Sequence, residues 1–271
     1  MTRWISVFSL MMLISACASL GKQDVTADWD EQTLYARATE RLKAQDYARA
    51  VDYYKKLNIR YPYGEYSQQA QLNIAYAYYR LEEPFEALAA ADEFIRFYPR
   101  HPEVAYAYYL RGLINFSPAL SIFDRLLPMD DSQRDPGTAL DAYQDFARVV
   151  EQYPDSVYAS DARQRMLYLR NNLARNEIHI ARFYLKRGAF LAAANRANYV
   201  VQHYQRTPAV KSALEIMITA YTKLGLDQLA ADARTVLALN ENNGSLIDEA
   251  QFQKDLTWLE KAWDYLELDK N

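Results

Sequence analysis

Few residues in this 271-residue chain are equipped for covalent or acid–base chemistry: one cysteine, three histidines and a loop cluster of carboxylates. Cys17 is the only thiol, so no internal disulfide can form and no multi-cysteine metal cage exists. His101 lies in a Pro-Arg-His-Pro turn, while His179 and His203 fall in helical stretches. The three share no ligand spacing and read as packing or surface residues. Asp130, Asp131 and Asp135 could hold Ca²⁺, yet they lack the EF-hand spacing and read as a solvated loop. No G-x-S-x-G, H-E-x-x-H, P-loop or dinucleotide signature occurs, and seven scattered glycines cannot build a phosphate cradle. These absences predict a protein that is not an enzyme, with no catalytic residue, no metal and no dissociable cofactor. What the chain has in abundance is tyrosine, 23 residues of it. Clusters in IAYAYYR (Tyr76, Tyr78, Tyr79) and VAYAYYLRG (Tyr106, Tyr108, Tyr109) suit gripping an extended peptide, because each ring joins a rigid apolar face to a polar tip. For any single tyrosine, packing between helices is the competing reading.

The setting of Cys17 assigns its thiol a different use. Arg3 gives a short basic region, and Trp4 to Ile14 is an apolar run well short of the roughly 20 residues that span a bilayer. Residues 1–16 therefore read as a removed signal peptide. Leu13-Ile14-Ser15-Ala16-Cys17 resembles a bacterial lipobox, which makes Cys17 the lipidation site, carrying diacylglycerol and an N-acyl chain. Several acyl chains anchor stably, since each buried methylene contributes about 0.8 kcal/mol. Ala18, in place of Asp, resembles an outer-membrane sorting signal, and residues 17–30 read as a lipidated polar tether. The net charge of −4 leaves no footprint for nucleic acid.

The elements that would carry the tyrosines are repeats. Tyr61-Pro62, Tyr98-Pro99, Tyr153-Pro154 and Tyr204-Gln205 form one column. Ala50, Ala87, Ala142 and Ala193 stand eleven residues before it, and Ala38, Ala75, Gly112 and Ala181 form a second small column. Small residues allow two helices to approach closely, and proline after tyrosine stops the second helix because it cannot continue the hydrogen-bond ladder. Scarce glycine and plentiful alanine favour helix throughout. The pattern resembles a tetratricopeptide repeat (TPR) of about 34 residues, although the basic step here is 37, from Tyr61 to Tyr98. The fold class predicted is all-α, a TPR superhelix of about five helix pairs with a C-terminal amphipathic helix. The step from Tyr98 to Tyr153 is 55, an excess of 18 assigned to an inserted loop from Asn115 to Pro136. The step from Tyr153 to Tyr204 is 51; the excess of 14 falls in a stretch free of Gly and Pro, Asp155 to Arg187, which predicts one long helix. A fifth pair should run Val210 to Leu224 and Leu226 to Leu239, turning at Gly225. In the tail, Ser245 with Asp248 suggests an N-cap, and Phe252, Leu256, Leu259, Trp263 and Leu266 form a 4-3-4-3 seam that would pack on the last repeat or on a partner.

Arg60 to Arg80 (RYPYGEYSQQAQLNIAYAYYR) resembles the signature of the BamD family, TPR lipoproteins of the outer-membrane β-barrel assembly (BAM) machinery. The likeness continues at FIRFYPRHP, at Tyr109-Leu110-Arg111-Gly112-Leu113, at Asp135-Pro136 and at Arg187-Gly188-Ala189, through about residue 239. The tail beyond is longer and more aromatic than the family's pattern. The resemblance implies a non-enzymatic scaffold and substrate receptor at the periplasmic face of the outer membrane, held there by its lipid alone. Its implied partners are unfolded outer-membrane proteins, recognised through an aromatic-ended C-terminal signal, the periplasmic POTRA region of BamA, and the other BAM lipoproteins. By position, Tyr61 and the neighbouring Tyr66 correspond to substrate-peptide contacts, and Arg196 to the contact with the barrel subunit, where an ion pair with a partner carboxylate is expected. Tyr61 is also a repeat anchor. The layout implied is a substrate-recognition half of TPR 1–3 (31–155), a docking half comprising the long helix and TPR 4–5 (156–239), and a linker with C-terminal helix (240–271). The alternative is a TPR lipoprotein adaptor for peptidoglycan or other cell-envelope enzymes, which would not need the RYPYGEYSQQ block.

Overall fold

A computed structural model describes residues 24–116 and 136–247, and among these residues it contains ten α-helices and no strand. They are α1 (Glu31–Lys43), α2 (Tyr47–Arg60), α3 (Ser67–Arg80), α4 (Pro84–Phe97), α5 (Val104–Phe116), α6 (Pro136–Gln152), α7 (Ala159–Lys186), α8 (Phe190–His203), α9 (Ala209–Lys223) and α10 (Asp227–Asn242). Each helix packs on the next, and α3 on α5 and α7 on α9 add contacts between successive first helices. That is the connectivity of a TPR-like superhelix, in which stability comes from neighbour-to-neighbour interfaces.

All four alanines of the second-helix column, and Ala38, Ala75 and Ala181 of the first-helix column, are fully buried. Gly112 shows why the first-helix column must be small: a Cβ there would lie 2.6 Å from the Phe146 ring. The tyrosine column caps the second helices. Tyr61, Tyr98, Tyr153 and Tyr204 each donate their backbone N–H to the carbonyl four residues back, at 2.7 to 3.0 Å, and those earlier residues (Leu57, Phe94, Val149, Val200) are fully buried.

Paired helices are joined by one turn used four times. Gln45, Glu82, Gly188 and Gly225 all have positive φ, between 59° and 75°. In each case the next residue's N–H closes back across the turn, as Asp46 does to Arg41 O at 2.9 Å and Leu226 to Tyr221 O at 2.9 Å. This left-handed closure satisfies helix-end carbonyls that would otherwise lack partners.

The 28-residue α7 is about 42 Å long at the usual rise. Its first half packs with Phe146 and Val149 through Ala159, Ala162 and Leu169. The second half packs with α8 and α9 through Ala174, Ile178 and Ala181. One element thus carries both halves. Some boundaries differ from the sequence expectation. Phe116 is still in helix and Pro136 already is, so both ends of the stretch expected as a loop from Asn115 to Pro136 are helical. α10 runs to Asn242, three residues past the boundary expected at 239, because nothing in Asn240-Glu241-Asn242 breaks a helix before the Gly244 turn. Cys17, the Asp130, Asp131 and Asp135 cluster and the tail seam from Phe252 to Leu266 lie outside the described residues.

Candidate binding surfaces

The clearest site in the amino-terminal half is a trough beside α1. Its cavity of about 560 Å³ is lined by α1 residues including Gln32, Tyr35, Ala36 and Thr39, and by Tyr66. The Tyr66 ring stacks on Tyr35 with centroids 4.6 Å apart and planes 21° from parallel. Below them Tyr35 meets Tyr54 at 5.8 Å. The Tyr54 hydroxyl shares a hydrogen bond with Thr39 Oγ1 at 2.9 Å and accepts one from Asn73 Nδ2 at 2.9 Å. Burial pushes that hydroxyl up to about 12, so it stays protonated across the physiological range.

Local sequence explains why the stack forms. Tyr35 stands three residues before Ala38, the register held by Leu72, Tyr109 and Ile178 in later repeats, all of them buried. In the first repeat the ring is only partly covered. Tyr66 closes over it, held by its own N–H, which donates to Glu31 Oε1 at 2.9 Å. That carboxylate occupies the space a Cβ at Gly64 would need, 2.0 Å away. The arrangement provides a stacked aromatic wall with Glu40 and Lys43 at its edge, able to hold an apolar or aromatic segment.

Tyr61 and Tyr66, paired in the sequence expectation, have different surroundings. Tyr61 does not line the trough; its hydroxyl donates to Trp29 O at 3.4 Å and its ring packs into the first core. Its anchor role places it there, since the ring must cover the end of α2. Trp29 belongs to a turn, residues 24–29, that α2 grips firmly. Arg60 donates to Thr26 O and, at 2.6 Å, to Asp24 Oδ2, while Lys56 reaches Asp24 Oδ1 at 3.0 Å. Hydrogen bonds from Thr26 and then Lys56 hold the Asp24 carboxyl down at about 2. Trp29 meets Tyr53 edge-on at 5.3 Å, and Thr26 is fully buried. The last residues of the expected tether are therefore part of the folded first repeat.

The tyrosine clusters divide as well. Tyr108 and Tyr109 are buried in the third repeat's core, not in a groove; Tyr109 donates to Asp161 Oδ2 at 2.6 Å. Arg165 on α7 reaches the same oxygen at 2.5 Å, and Arg111 bridges Asp92 and the buried Asp145. Tyr76 stays half-buried, accepting from Arg80 at 2.7 Å while Arg80 lies 4.9 Å from the Tyr47 ring centroid. Tyr63, absent from the sequence expectation, is 100% exposed.

In the carboxyl-terminal half, Arg196 projects from α8 between Ala193, Ala194 and Ala197, all fully buried. Its Nη1 donates to Glu177 of α7 at 3.1 and 3.2 Å. The arginine side chain is 46% exposed and the glutamate 15%. A carboxylate of the same chain thus already stands beside Arg196, in addition to the partner carboxylate that the sequence reading expects there. Glu177 was invisible to that reading because the two lie on different helices, and only packing of α8 on α7 brings them together. The Tyr199 ring lies tilted beside His203 on the same helix, centroids 4.3 Å apart, and Tyr199 is 43% exposed. Phe183 and Leu191, at the tip where α7 turns into α8, are more than half exposed. Among the described residues no cluster of histidine, cysteine or carboxylate has metal-binding geometry, and no helix is long and apolar enough to cross a membrane.

Comparison with known proteins adds to this geometry. Residues 27–237 match the family YfiO, described as an outer membrane lipoprotein. The outer membrane protein assembly factor BamD of Neisseria meningitidis serogroup A is 44% identical over 254 residues, covering 92% of this chain and 95% of that protein. BamD of Xylella fastidiosa is 37% identical over 234 residues (86% and 80%). BamD of Vibrio cholerae is 34% identical over 230 residues (85% and 95%).

Proposed function

The chain belongs to the YfiO family of outer membrane lipoproteins, with BamD assembly factors as relatives, and on that premise we propose that it is a two-ended receptor in outer-membrane protein assembly. It is a scaffold and not an enzyme. The amino-terminal trough takes an extended, aromatic-ended segment of an unfolded outer-membrane protein, and the carboxyl-terminal repeats dock on the POTRA region of BamA, with the other BAM lipoproteins alongside.

The observation that carries the receptor reading is the Tyr35 and Tyr66 stack, a partly open aromatic surface on a backbone fixed by Glu31. Tyrosine at such a surface offers contact area with little side-chain entropy to lose. The docking reading rests on Arg196, whose half-exposed guanidinium is held in place by Glu177 and retains donors for an incoming carboxylate. Lipid on Cys17 anchors the chain at the periplasmic face of the membrane. Because α2 grips residues 24–29, Cys17 can lie no more than about 25 Å from Asp24, which keeps the first repeat close to the bilayer.

A photo-crosslinker at Tyr66 in the intact lipoprotein should capture unfolded barrel segments, while one at Tyr61 should return mainly the chain's own residues near Trp29. Self-contacts from both positions would sink the receptor reading. Arg196→Gln should weaken co-purification with the barrel subunit while circular dichroism shows the helices intact, since the glutamine amide can still donate to Glu177 but carries no charge for an incoming carboxylate. An unchanged complex with normal barrel yields would count against docking through Arg196.

A further inference from the structure

The last two repeats enclose a second cavity, about 830 Å³, between the later turns of α7, the start of α9 and the end of α10. Ile178 and Ala209, both buried, give it an apolar wall. Arg182 donates to Ser212 Oγ at 3.0 Å on one side, and Lys211 pairs with Glu241 at 3.1 Å on another. The remaining wall includes Leu246 and Ile247, the last two described residues. The chain therefore runs into this cavity as it leaves the repeats.

The way α10 ends supports the same direction. Every earlier second helix ends on the tyrosine column. α10 instead ends on Gly244, with φ 62° and the N–H of Ser245 bonded to Asn240 O at 3.0 Å. That is the turn used at Gln45, Glu82, Gly188 and Gly225, and at each of those positions it returns a new helix onto the one just finished.

We propose that residues 248–271 occupy this cavity as an amphipathic helix, making the tail an intramolecular ligand of the docking half. Phe252, Leu256, Leu259, Trp263 and Leu266 would supply the apolar face, and the stretch from 248 to 266 reaches about 28 Å as a helix. Charge agrees: the segment holds seven Asp and Glu against three Lys, while the cavity is lined by Arg175, Arg182 and Lys211 against Glu215 and Glu241. A partner approaching this face must displace the tail first. The assignment of the tail stands whether or not the docking reading does.

A benzophenone side chain placed at Ser212 of the full lipidated protein tests this directly. The expected product keeps the mobility of a monomer, with the crosslink mapped to a peptide within residues 248–271. Hydrogen exchange around Ala209 to Leu214 should also quicken about tenfold or more when Leu259→Asp and Trp263→Asp are combined in the full chain. Crosslinks to a second copy or to another polypeptide alone would overturn the proposal. So would tail crosslinks formed only from a probe at Leu239 on α10, or exchange unchanged by the double substitution.

Discussion

Repeats one to three bury aromatic side chains where repeats four and five bury alanine and aliphatic ones. Among the described residues, the bulkiest fully buried before α7 are Tyr54, Phe94 and Phe146; after it they are Leu214 and Val200. Both halves keep the small columns and the left-handed turn, with Gln45 and Glu82 doing in one half what Gly188 and Gly225 do in the other. The comparison teaches that the repeat specifies a path for the backbone and leaves the filling free. Tyrosine filling brings hydroxyls that must find partners, hence the polar contacts around Tyr54 and Tyr109. Where Tyr35 lacks the full cover its counterparts receive, that filling surfaces as an open aromatic trough. The alanine-filled half lets helices approach closely and carries charges on the helix surface, such as Arg196 with Glu177.

The largest effect should come from Phe146→Ala. Phe146 is fully buried against Gly112 and 5.8 Å from Tyr109, so its removal should cost about 3–5 kcal/mol by chemical denaturation. If the halves are separable, hydrogen exchange should quicken in α5 and α6 and change little in α9 and α10; equal loss in both would break the distinction. Gly112→Ala attacks the same contact from the other side and should cost about 1–3 kcal/mol by overpacking. The shared turn predicts opposite signs across the two halves. Gly188→Ala should destabilise by about 1 kcal/mol or more and Glu82→Gly should stabilise slightly, each read as a shift in denaturation midpoint, because only glycine adopts positive φ without strain. Matching signs would mean that the turns are not equivalent.

The smallest effect concerns the clamp on residues 24–29, which has no counterpart among the described residues of the other half. The Asp24 carboxyl is lowered from 3.8 to about 2, so its contribution is present above pH 4 and fades as pH falls toward 2. The Trp29 indole signal in NMR should move through that window before the repeats unfold, and Asp24→Asn should remove the transition. A Trp29 signal that titrates identically in the variant would assign the change to another group.

Much of this was legible in the chain because repetition amplifies weak signals. One alanine is uninformative, but two small columns recurring with a tyrosine column fixed the helix pairs, the long α7 and the tight turns, since close helix approach and helix termination each demand particular residue types. The RYPYGEYSQQ block and the setting of Cys17 carried the family. Individual contacts were not legible, because a repeat anchor and a ligand contact can be the same residue type. Tyr61 and Tyr66 differ only in what folds against them: Trp29 covers one, while the other lies over Tyr35 at the edge of an open trough. Glu177 and Arg196 stand 19 residues apart on separate helices, and only packing of α8 on α7 brings them within 3.1 Å. Sequence alone determined the superhelix, through local spacing and residue size. The tertiary structure decided which tyrosines are core and which remain open, because burial depends on neighbours distant in the chain.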